Sequence, residues 1–211
     1  MNTGQRVSEI LRLLDEHYPF DVCFLSYDEE KPWQLLFSTI LSAQCTDDRV
    51  NMISERLYEK YKTLMDFAHA DPAELEEDIK PAGFFHIKAA HIKDAANMLL
   101  NDYGGRIPEG MDELLKLPGV GRKTANLLRG HIFRIPSMIV DTHVKRVSRK
   151  LSLTENEDPE KIEYDLMAIL PPDHWTAFNI QIIAHGRAVC KARKPDCAGC
   201  FLNGLCGSAG L

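Results

Sequence analysis

A lysine and an aspartate within residues 114–150 have the side chains and the sequence settings for covalent chemistry on a nucleic acid. Lys123 follows the segment Leu117-Pro118-Gly119-Val120-Gly121, in which two nearby glycines allow a tight turn with exposed N–H groups. Such a turn at the start of a helix near Arg122 is a good phosphate site, because N–H donors and the positive end of the helix dipole converge there. A lysine amine held beside it is a candidate nucleophile.

The aspartate, Asp141, ends the apolar pair Ile139-Val140 and precedes a helical pattern over residues 142–151. Its carboxylate could orient or deprotonate Lys123 and stabilise positive charge that develops on a substrate. Each residue also has an ordinary interpretation. A lysine in the first turn of a helix is usually solvated, and an aspartate before Thr-His is usually a helix cap.

Four cysteines near the end of the chain have the spacing Cys190-x6-Cys197-x2-Cys200-x5-Cys206. Four thiolates this close in sequence can surround one metal centre. Disulfides are disfavoured because we recognise no secretion signal and a reducing compartment keeps thiols free. Structural zinc and an iron–sulfur cluster both remain possible on spacing alone. We interpret Cys23 and Cys45 as buried apolar residues.

Composition limits the class of protein. The chain has 211 residues, with 45% hydrophobic and 27% charged residues, which is typical of a globular protein. We expect no signal peptide, because the N-terminal residues show no basic segment followed by an uninterrupted apolar core. We also expect no membrane segment, because no stretch approaches the roughly 18 apolar residues that a membrane helix needs. The expected location is the cytoplasm, or the nucleus if the source cell has one.

The net charge of −6 argues against a uniformly basic surface, but two segments are strongly basic. Residues 116–150 contain nine lysines and arginines and one acid, Asp141, and residues 187–194 contain four basic residues and no acid. Because phosphate binding depends on local positive potential, an acidic protein can bind DNA through one basic face. The alternative is that these segments are solvated helix faces.

Apolar residues recur with helical spacing along most of the chain, and we find no long alternating pattern of a strand. The sequence therefore predicts an all-α protein. The predicted helices are 6–18, 32–41, 47–61, 73–79, 84–103, 111–117, 122–132, 142–151, 160–170 and a last one ending near residue 190. The helix over 32–41 is apolar around most of its circumference, so we expect it to be buried at the centre.

Several motifs together resemble the endonuclease III family of DNA glycosylases. The segment LPGVGRKTANLL, followed by VDTHVKRV, resembles the family's signature. That signature is a helix-hairpin-helix motif followed by a Gly/Pro-rich loop and an aspartate. The resemblance extends to LLFSTILSAQCTDDRVN, IKPAGFFHIKAAHI and HGRAVCKARKPDCAGC, in the order found in the family. Three features depart from the family pattern, namely Arg129-Gly130, Asn179 and a tail of only five residues after Cys206.

The resemblance implies two helical lobes with DNA in the groove between them. Residues 32–133 would form a six-helix barrel that contains the helix-hairpin-helix motif at 114–130. Residues 1–31 and 134–211 would form the second lobe, with a [4Fe–4S] loop at 190–206. The resemblance therefore favours the cluster over zinc, with Cys190, Cys197, Cys200 and Cys206 as its ligands.

The resemblance also assigns roles to individual residues. Lys123 would be the nucleophile and Asp141 its catalytic partner. Gln44 would fill the space left by an extruded base, and Phe84 would wedge the opposite strand, although core packing is an equal alternative for Phe84. The residues expected to contact DNA phosphates are Gly119, Val120, Gly121 and Arg122 in the hairpin and Lys191, Arg193 and Lys194 in the cluster loop.

The expected function is that of a bifunctional DNA glycosylase and AP lyase of base excision repair. It would excise oxidised pyrimidines from duplex DNA through a Schiff base on Lys123 and cut the strand by β-elimination. The expected partner is duplex DNA with a damaged base or abasic site, bound by a monomer. Two alternatives remain: a monofunctional mismatch glycosylase for adenine or thymine, and a non-catalytic iron–sulfur protein that binds DNA.

Overall fold

A computed structural model describes residues 2–18 and 23–208, in which all regular structure is helical. This confirms the all-α prediction. The α-helices of the described residues are α1 (Thr3–His17), α2 (Trp33–Leu41), α3 (Asp47–Lys60), α4 (Leu64–His69), α5 (Pro72–Ile79), α6 (Phe85–Asp102), α7 (Met111–Leu114), α8 (Arg122–Ile132), α9 (Thr142–Lys150), α10 (Pro159–Ile169) and α11 (Trp175–Ala188). Short 3₁₀ turns lie at Lys80–Ala82, Pro172–His174 and Asn203–Leu205.

Local capping explains where two of these helices begin. The Oδ1 atom of Asp71 accepts hydrogen bonds from two N–H groups in the first turn of α5, at 3.0 and 3.1 Å. Asp158 caps α10 in the same way, with two bonds of 3.0 Å. In each case a proline follows at the first helical position, where its missing N–H costs nothing. Both starts were predicted within one residue.

Two short helices differ from the prediction. The helix α4 was not predicted, and a capping box between Thr63 and Asp66 stabilises its first turn. The predicted helix over 111–117 ends at Leu114, because the chain then enters the turns that lead to the hairpin glycines.

The chain divides into two compact units, Cys23–Arg134 and the pair of segments Met1–Val22 with Ile135–Leu211. In the first, which we call the hairpin unit, every residue of α2 is buried, as its apolar sequence predicted. The ring of Phe37 on this helix lies 5.5 Å from that of Trp33 and 4.9 Å from that of Phe67, at the tilted angles that aromatic pairs favour. This helix is thus the centre of the hairpin unit.

The second unit, which we call the cysteine unit, joins the described N-terminal helix to the last third of the chain. The apolar stripe of α1 faces a core that includes Val144, Leu166 and Leu202. The guanidinium of Arg6 donates hydrogen bonds to the carbonyls of Leu151 and Leu205, the latter at 3.1 Å. The N-terminal helix therefore supports the segment that carries the last cysteines.

Residues 23–31 belong to the hairpin unit, whereas the sequence prediction assigned them to the other lobe. Leu25 is buried in the core of the hairpin unit. The side chain of Asn51 also holds this segment, accepting from the N–H of Ser26 at 2.9 Å and donating to the carbonyl of Phe24 at 3.0 Å. These contacts join residues distant in sequence, so local patterns did not reveal them.

Within residues 2–18 and 23–208, no helix combines the length and the apolar character needed to cross a membrane.

Candidate nucleic-acid interface and metal centre

The hairpin between α7 and α8 presents backbone N–H groups at the start of α8. Gly121 is the N-cap residue of α8, and no side chain caps this end of the helix. The turn before it is closed by a hydrogen bond of 3.1 Å from the N–H of Val120 to the carbonyl of Leu117. Gly119 has a φ of 76°, a left-handed conformation that glycine adopts without strain. Because no side chain caps this helix end, its N–H groups and the helix dipole favour an anion at this point.

The predicted hairpin contacts are not equivalent in the structure. The side chain of Val120 is only 8% exposed and packs in the core of the hairpin unit, so this residue can offer a ligand only its backbone. Gly119 and Gly121 likewise offer only backbone groups. Arg122 is half-buried in the first turn of α8. Sequence position alone could not show that the valine points inward.

Lys123 lies in the first turn of α8 and is exposed. No side-chain hydrogen bond or ion pair joins it to the described residues of the hairpin unit. Its exposed side chain is therefore available to a ligand at the uncapped start of α8. This is the setting in which an amine can reach a ligand that the hairpin holds by its phosphates.

Asp141, in the cysteine unit, is the N-cap residue of α9. Its Oδ1 atom accepts hydrogen bonds from the N–H groups of His143 and Val144, both at 2.8 Å. The other oxygen, Oδ2, lies 3.0 Å from Nδ1 of His143. The side chain of Asp141 is 11% exposed. Oδ1 of Asp141 therefore acts as the helix cap that the sequence suggested, and Oδ2 is oriented by the ring of His143.

Two side chains of α11 form hydrogen bonds with the backbone that precedes Asp141. The amide of Asn179, which is buried, donates a hydrogen bond of 3.1 Å to the carbonyl of Ile139. The hydroxyl of Thr176 donates to the carbonyl of Ser137 at 3.3 Å. From the sequence, Asn179 was recognised only as a departure from a family pattern. A buried amide must find a hydrogen-bond partner inside the protein, and only the tertiary structure shows that the partner is the carbonyl of Ile139.

Gln44 and Phe84 share an unusual backbone conformation in the hairpin unit. Their φ angles are 54° and 48°, in the left-handed region that side chains other than glycine rarely adopt. Gln44 is exposed, and Phe84 is 62% exposed at the N-cap position of α6. The core-packing alternative for Phe84 is therefore wrong. Both side chains are available to a ligand.

The four cysteines of the predicted metal centre line a single cavity of about 300 Å³ in the cysteine unit. Burial raises the pKa of the Cys190 and Cys200 thiols. The ring of His185 approaches the same centre, with Nε2 at 3.6 Å from Sγ of Cys200. The thiol of Cys206 donates to the carbonyl of Lys150 at 3.2 Å.

The four cysteine thiols line one cavity, so together they can surround a metal centre that occupies the volume between them. Among the described residues, no three His, Cys, Asp or Glu side chains are already grouped as closely as the ligands of one metal ion. Cys23 and Cys45 lie in the hairpin unit, half-buried against its core.

The loop between the first two of the four cysteines is basic and accessible. Lys191, Arg193 and Lys194 are all exposed. Lys194 has a φ of 55°, in the left-handed region. The N–H of Asp196 then returns to the carbonyl of Val189 at 3.1 Å. The loop is therefore closed at its base while its three cations face solvent.

Comparison with known proteins places these features in a family. Residues 37–172 match the sequence model of the HhH-GPD superfamily base excision DNA repair proteins. Residues 190–206 match that of the iron–sulfur binding domain of endonuclease III. The second match covers the four cysteines.

The chain is similar to full-length relatives from several bacteria. It is 49% identical to endonuclease III of Synechocystis over 97% of this chain and 93% of that protein. It is 39% identical to the Bacillus subtilis endonuclease III, with 96% and 92% coverage, and 34% identical to that of Escherichia coli, with 98% and 96% coverage.

Solved structures agree with these similarities. A trapped covalent endonuclease III–DNA intermediate superimposes with a TM-score of 0.92 at 40% identity, covering 99% of this chain and 98% of that one. A thermostable thymine-DNA glycosylase superimposes with a TM-score of 0.81 at 26% identity, covering 98% and 96%.

Proposed function

The chain belongs to the endonuclease III family and is a DNA glycosylase and AP lyase of base excision repair, and on that premise we propose its substrate and site residues. Its substrate is duplex DNA that carries an oxidised pyrimidine or an abasic site. It acts as a monomer in the cytoplasm, the compartment that contains the chromosome in bacteria. The observation that carries the proposal is the exposed Lys123 beside the uncapped start of α8.

The hairpin holds the damaged strand by its phosphate backbone. The backbone N–H groups of Gly119, Val120, Gly121 and the first turn of α8 donate to a phosphate, and Arg122 adds positive charge. These contacts carry no sequence information, as is appropriate for an enzyme that must search all of the DNA. Lys123, one residue further, then faces the sugar of a neighbouring nucleotide.

The nucleophile is the neutral amine of Lys123. It attacks C1′ of the damaged nucleotide, the C1′–N bond breaks, and the base leaves with the bonding electrons. A proton then passes from the amine nitrogen to O4′ as the C1′–O4′ bond breaks, and the opened sugar forms a protonated Schiff base that acidifies the C2′ proton. Loss of that proton expels the 3′ phosphate and cuts the strand by β-elimination. A lysine nucleophile permits this covalent route, whereas a water nucleophile would only release the base.

Asp141 stabilises the positive charge that develops on the sugar as the base departs. Support for this role is the polar setting of its Oδ2 atom, which His143 orients at 3.0 Å while Oδ1 caps α9. A carboxylate whose two oxygens are held in place loses little conformational freedom when the charge appears. His143 and Asn179 act as positioning residues for this carboxylate.

Base extrusion requires side chains that replace the extruded base in the stack. Gln44 enters the vacated space and offers hydrogen bonds to the orphaned partner base, and Phe84 inserts between bases of the opposite strand. Support for these roles is the exposure of both side chains. An exposed phenylalanine loses apolar contact with water when it enters the duplex, which offsets part of the cost of unstacking.

The cofactor is a [4Fe–4S] cluster, and Cys190, Cys197, Cys200 and Cys206 are its proposed ligands. Bound iron would supply metal–ligand free energy that folds a segment too short for a core of its own. The folded segment presents Lys191, Arg193 and Lys194 to DNA phosphates. The glycosylase and lyase steps use none of these cysteines.

Borohydride trapping tests the nucleophile directly, because borohydride reduces a protein–DNA Schiff base to a stable adduct. The substrate is a duplex with one oxidised pyrimidine, and the proteins are wild type, Lys123→Gln and Asp141→Asn. Lys116→Gln serves as the matched control, since Lys116 is an exposed lysine of the same hairpin. We expect an adduct with wild type and Lys116→Gln, a weaker one with Asp141→Asn, and none with Lys123→Gln.

The thymine-DNA glycosylase likeness defines the competing outcome. If wild type releases a mismatched base without forming any adduct, the enzyme is a monofunctional mismatch glycosylase and the role of Lys123 is refuted. If it binds the duplex but neither traps nor releases a base, the catalytic proposal as a whole fails.

A further inference from the structure

A buried lysine joins the two turns that carry Gln44 and Phe84. Lys88 lies in the first turns of α6 and is only 4% exposed. Its ammonium group donates hydrogen bonds to the carbonyls of Leu41 and Ala43, both at 2.8 Å, and to that of Ala82 at 2.9 Å. The first acceptor is the last residue of α2, the second lies in the turn that follows α2, and the third lies in the turn before α6.

The ammonium group is fully satisfied by this arrangement but gains no opposite charge from it. Lysine has three N–H donors, and each has one carbonyl acceptor here. Lysine is seldom buried in this way unless it is paired. Burial lowers the pKa of Lys88, and the nearby Cys45 opposes that shift only in part. The buried ammonium group therefore depends on these three carbonyls, and it ties them to one point.

The three carbonyls lie next to the strained residues of both turns. The Ala43 carbonyl belongs to the peptide bond that leads into Gln44, with its φ of 54°. The Ala82 carbonyl leads into Gly83 and Phe84, whose φ values are 69° and 48°. Left-handed residues other than glycine persist only where the surrounding structure holds them, and they concentrate at ligand-binding sites.

We propose that Lys88 is a positioning residue that fixes Gln44 and Phe84 relative to each other, so that both side chains enter the duplex at one lesion. The proposal rests on the proposed roles of these two residues in base extrusion. Nζ of Lys88 donates hydrogen bonds to both turns. The backbone positions of Gln44 and Phe84 therefore depend on the same buried nitrogen atom. The three carbonyl acceptors of this nitrogen lie outside the hairpin.

The sequence contains a signal for this role in the spacing of the buried residues of α6. Lys88 shares the buried face of α6 with Ile92, Ala96 and Leu99, at helical spacing. A lysine on an apolar stripe must find acceptors inside the protein, so its partners could be sought in neighbouring turns.

Hydrogen exchange in the free enzyme tests the positioning without DNA. Lys88→Met removes the three donors at similar length, and Lys93→Met is the matched control, because Lys93 on the same helix bonds one carbonyl, that of Ala70. We expect Lys88→Met to speed amide exchange in residues 41–45 and 80–85 while exchange in α8 is unchanged. Equal exchange in Lys88→Met and wild type would refute the positioning role.

Binding to DNA tests the consequence for lesion recognition. The probes are an intact duplex and the same duplex with a stable abasic-site analogue opposite 2-aminopurine, whose fluorescence reports stacking. We expect Lys88→Met to weaken binding to the abasic duplex by about tenfold or more and to reduce the fluorescence change. Binding to the intact duplex should stay within about twofold of wild type.

A double-mutant comparison separates positioning from a general loss of stability. In a protein that already carries Gln44→Ala and Phe84→Ala, adding Lys88→Met should change abasic-site affinity by less than about twofold, because the side chains it positions are gone. A further tenfold loss in that background would overturn the proposal. If Lys88→Met does not fold, Lys88→Gln keeps an amide donor and should give an intermediate loss of the same kind.

The two proposals fail in different ways. If wild type does not prefer the abasic duplex to the intact one, base extrusion by Gln44 and Phe84 is refuted. The exchange measurement still decides whether Lys88 holds the two turns together.

Discussion

Gly119 and His91 approach so closely that the hairpin has room for only a hydrogen atom at this glycine. A β-carbon on Gly119 would lie 2.9 Å from Nδ1 of His91 and 3.2 Å from its Cβ and Cγ atoms. Such distances are well inside ordinary van der Waals contact. The loop that we propose to bind a phosphate therefore rests directly on α6, the helix that contains Lys88 and has Phe84 as its N-cap residue.

Replacing Gly119 by alanine should damage the hairpin through both sterics and backbone strain. The left-handed φ of 76° costs an L-residue about 1–2 kcal/mol, and the contact with His91 adds to it. We expect Gly119→Ala to lower the free energy of unfolding by about 2 kcal/mol in urea titrations. The control is Gly121→Ala, because a β-carbon at Gly121 meets no atom within 4 Å and its φ is −100°. Equal stabilities of the two variants would contradict this account.

Asp141 should have separable contributions to stability and to catalysis. Serine at this position can still accept the capping hydrogen bonds but carries no charge. We expect Asp141→Ala to lose about 1 kcal/mol of stability and Asp141→Ser much less, whereas both should slow single-turnover base release by about a hundredfold or more.

Asp158 provides the control for that experiment, since it caps α10 through the same pair of N–H contacts. The alanine and serine variants of Asp158 should show the same order of stability with unchanged base release. An Asp141→Ser enzyme with full activity would show that Asp141 acts only as a cap.

Loss of one cysteine ligand should remove the cluster and loosen the basic loop. We expect Cys200→Ser to contain less iron and sulfide per protein and to be cleaved faster by trypsin after Lys191, Arg193 and Lys194. Cys45→Ser is the control, because Cys45 lies in the hairpin unit. Wild-type iron content in Cys200→Ser would exclude this cysteine from the ligand set.

The exposed cations of the cluster loop should contribute to DNA binding through phosphate neutralisation. Each of Lys191→Ala, Arg193→Ala and Lys194→Ala should reduce the slope of log affinity against log salt by about 0.9, the value for one lost phosphate contact. Lys161→Ala, an exposed lysine of α10, should leave the slope unchanged. Unchanged slopes in all three loop variants would mean that the loop does not contact phosphates.

An ion pair between α1 and the turn before α11 should make stability depend on pH. Burial alone would lower the pKa of His174, but the hydrogen bond and charge of Asp15, followed by Asp173, raise it above its ordinary value of 6.5. Because the folded state favours the protonated ring, this stabilisation is fully present below about pH 6.5 and is lost as the pH rises through the folded-state pKa.

His174→Gln should therefore destabilise the protein by about 0.5 kcal/mol at about pH 5 and by less at about pH 8.5, as measured by urea unfolding. The control is His69→Gln, since His69 lies 3.0 Å from a backbone carbonyl and not beside a carboxylate. A larger loss at the higher pH would reverse the assigned sign.

Local sequence determined much of the scaffold and the chemistry. The caps Asp71 and Asp158 began their helices as expected, because a cap acts on N–H groups two and three residues away. The hairpin glycines and Lys123 also follow from short-range rules, since turn and helix are adjacent in the chain. The four cysteines lie within one short segment, so their spacing alone indicated that they share a centre.

Tertiary structure decided how those groups are held. Lys88 finds carbonyls more than 40 residues away in sequence at the end of α2, and Asn179 reaches Ile139 across 40 residues. Only packing settled that Val120 points inward and Phe84 outward, although both are apolar residues beside a glycine. Local patterns report the conformation a segment prefers. Burial and long-range hydrogen bonds depend on which segments fold against each other, and that is a property of the whole chain.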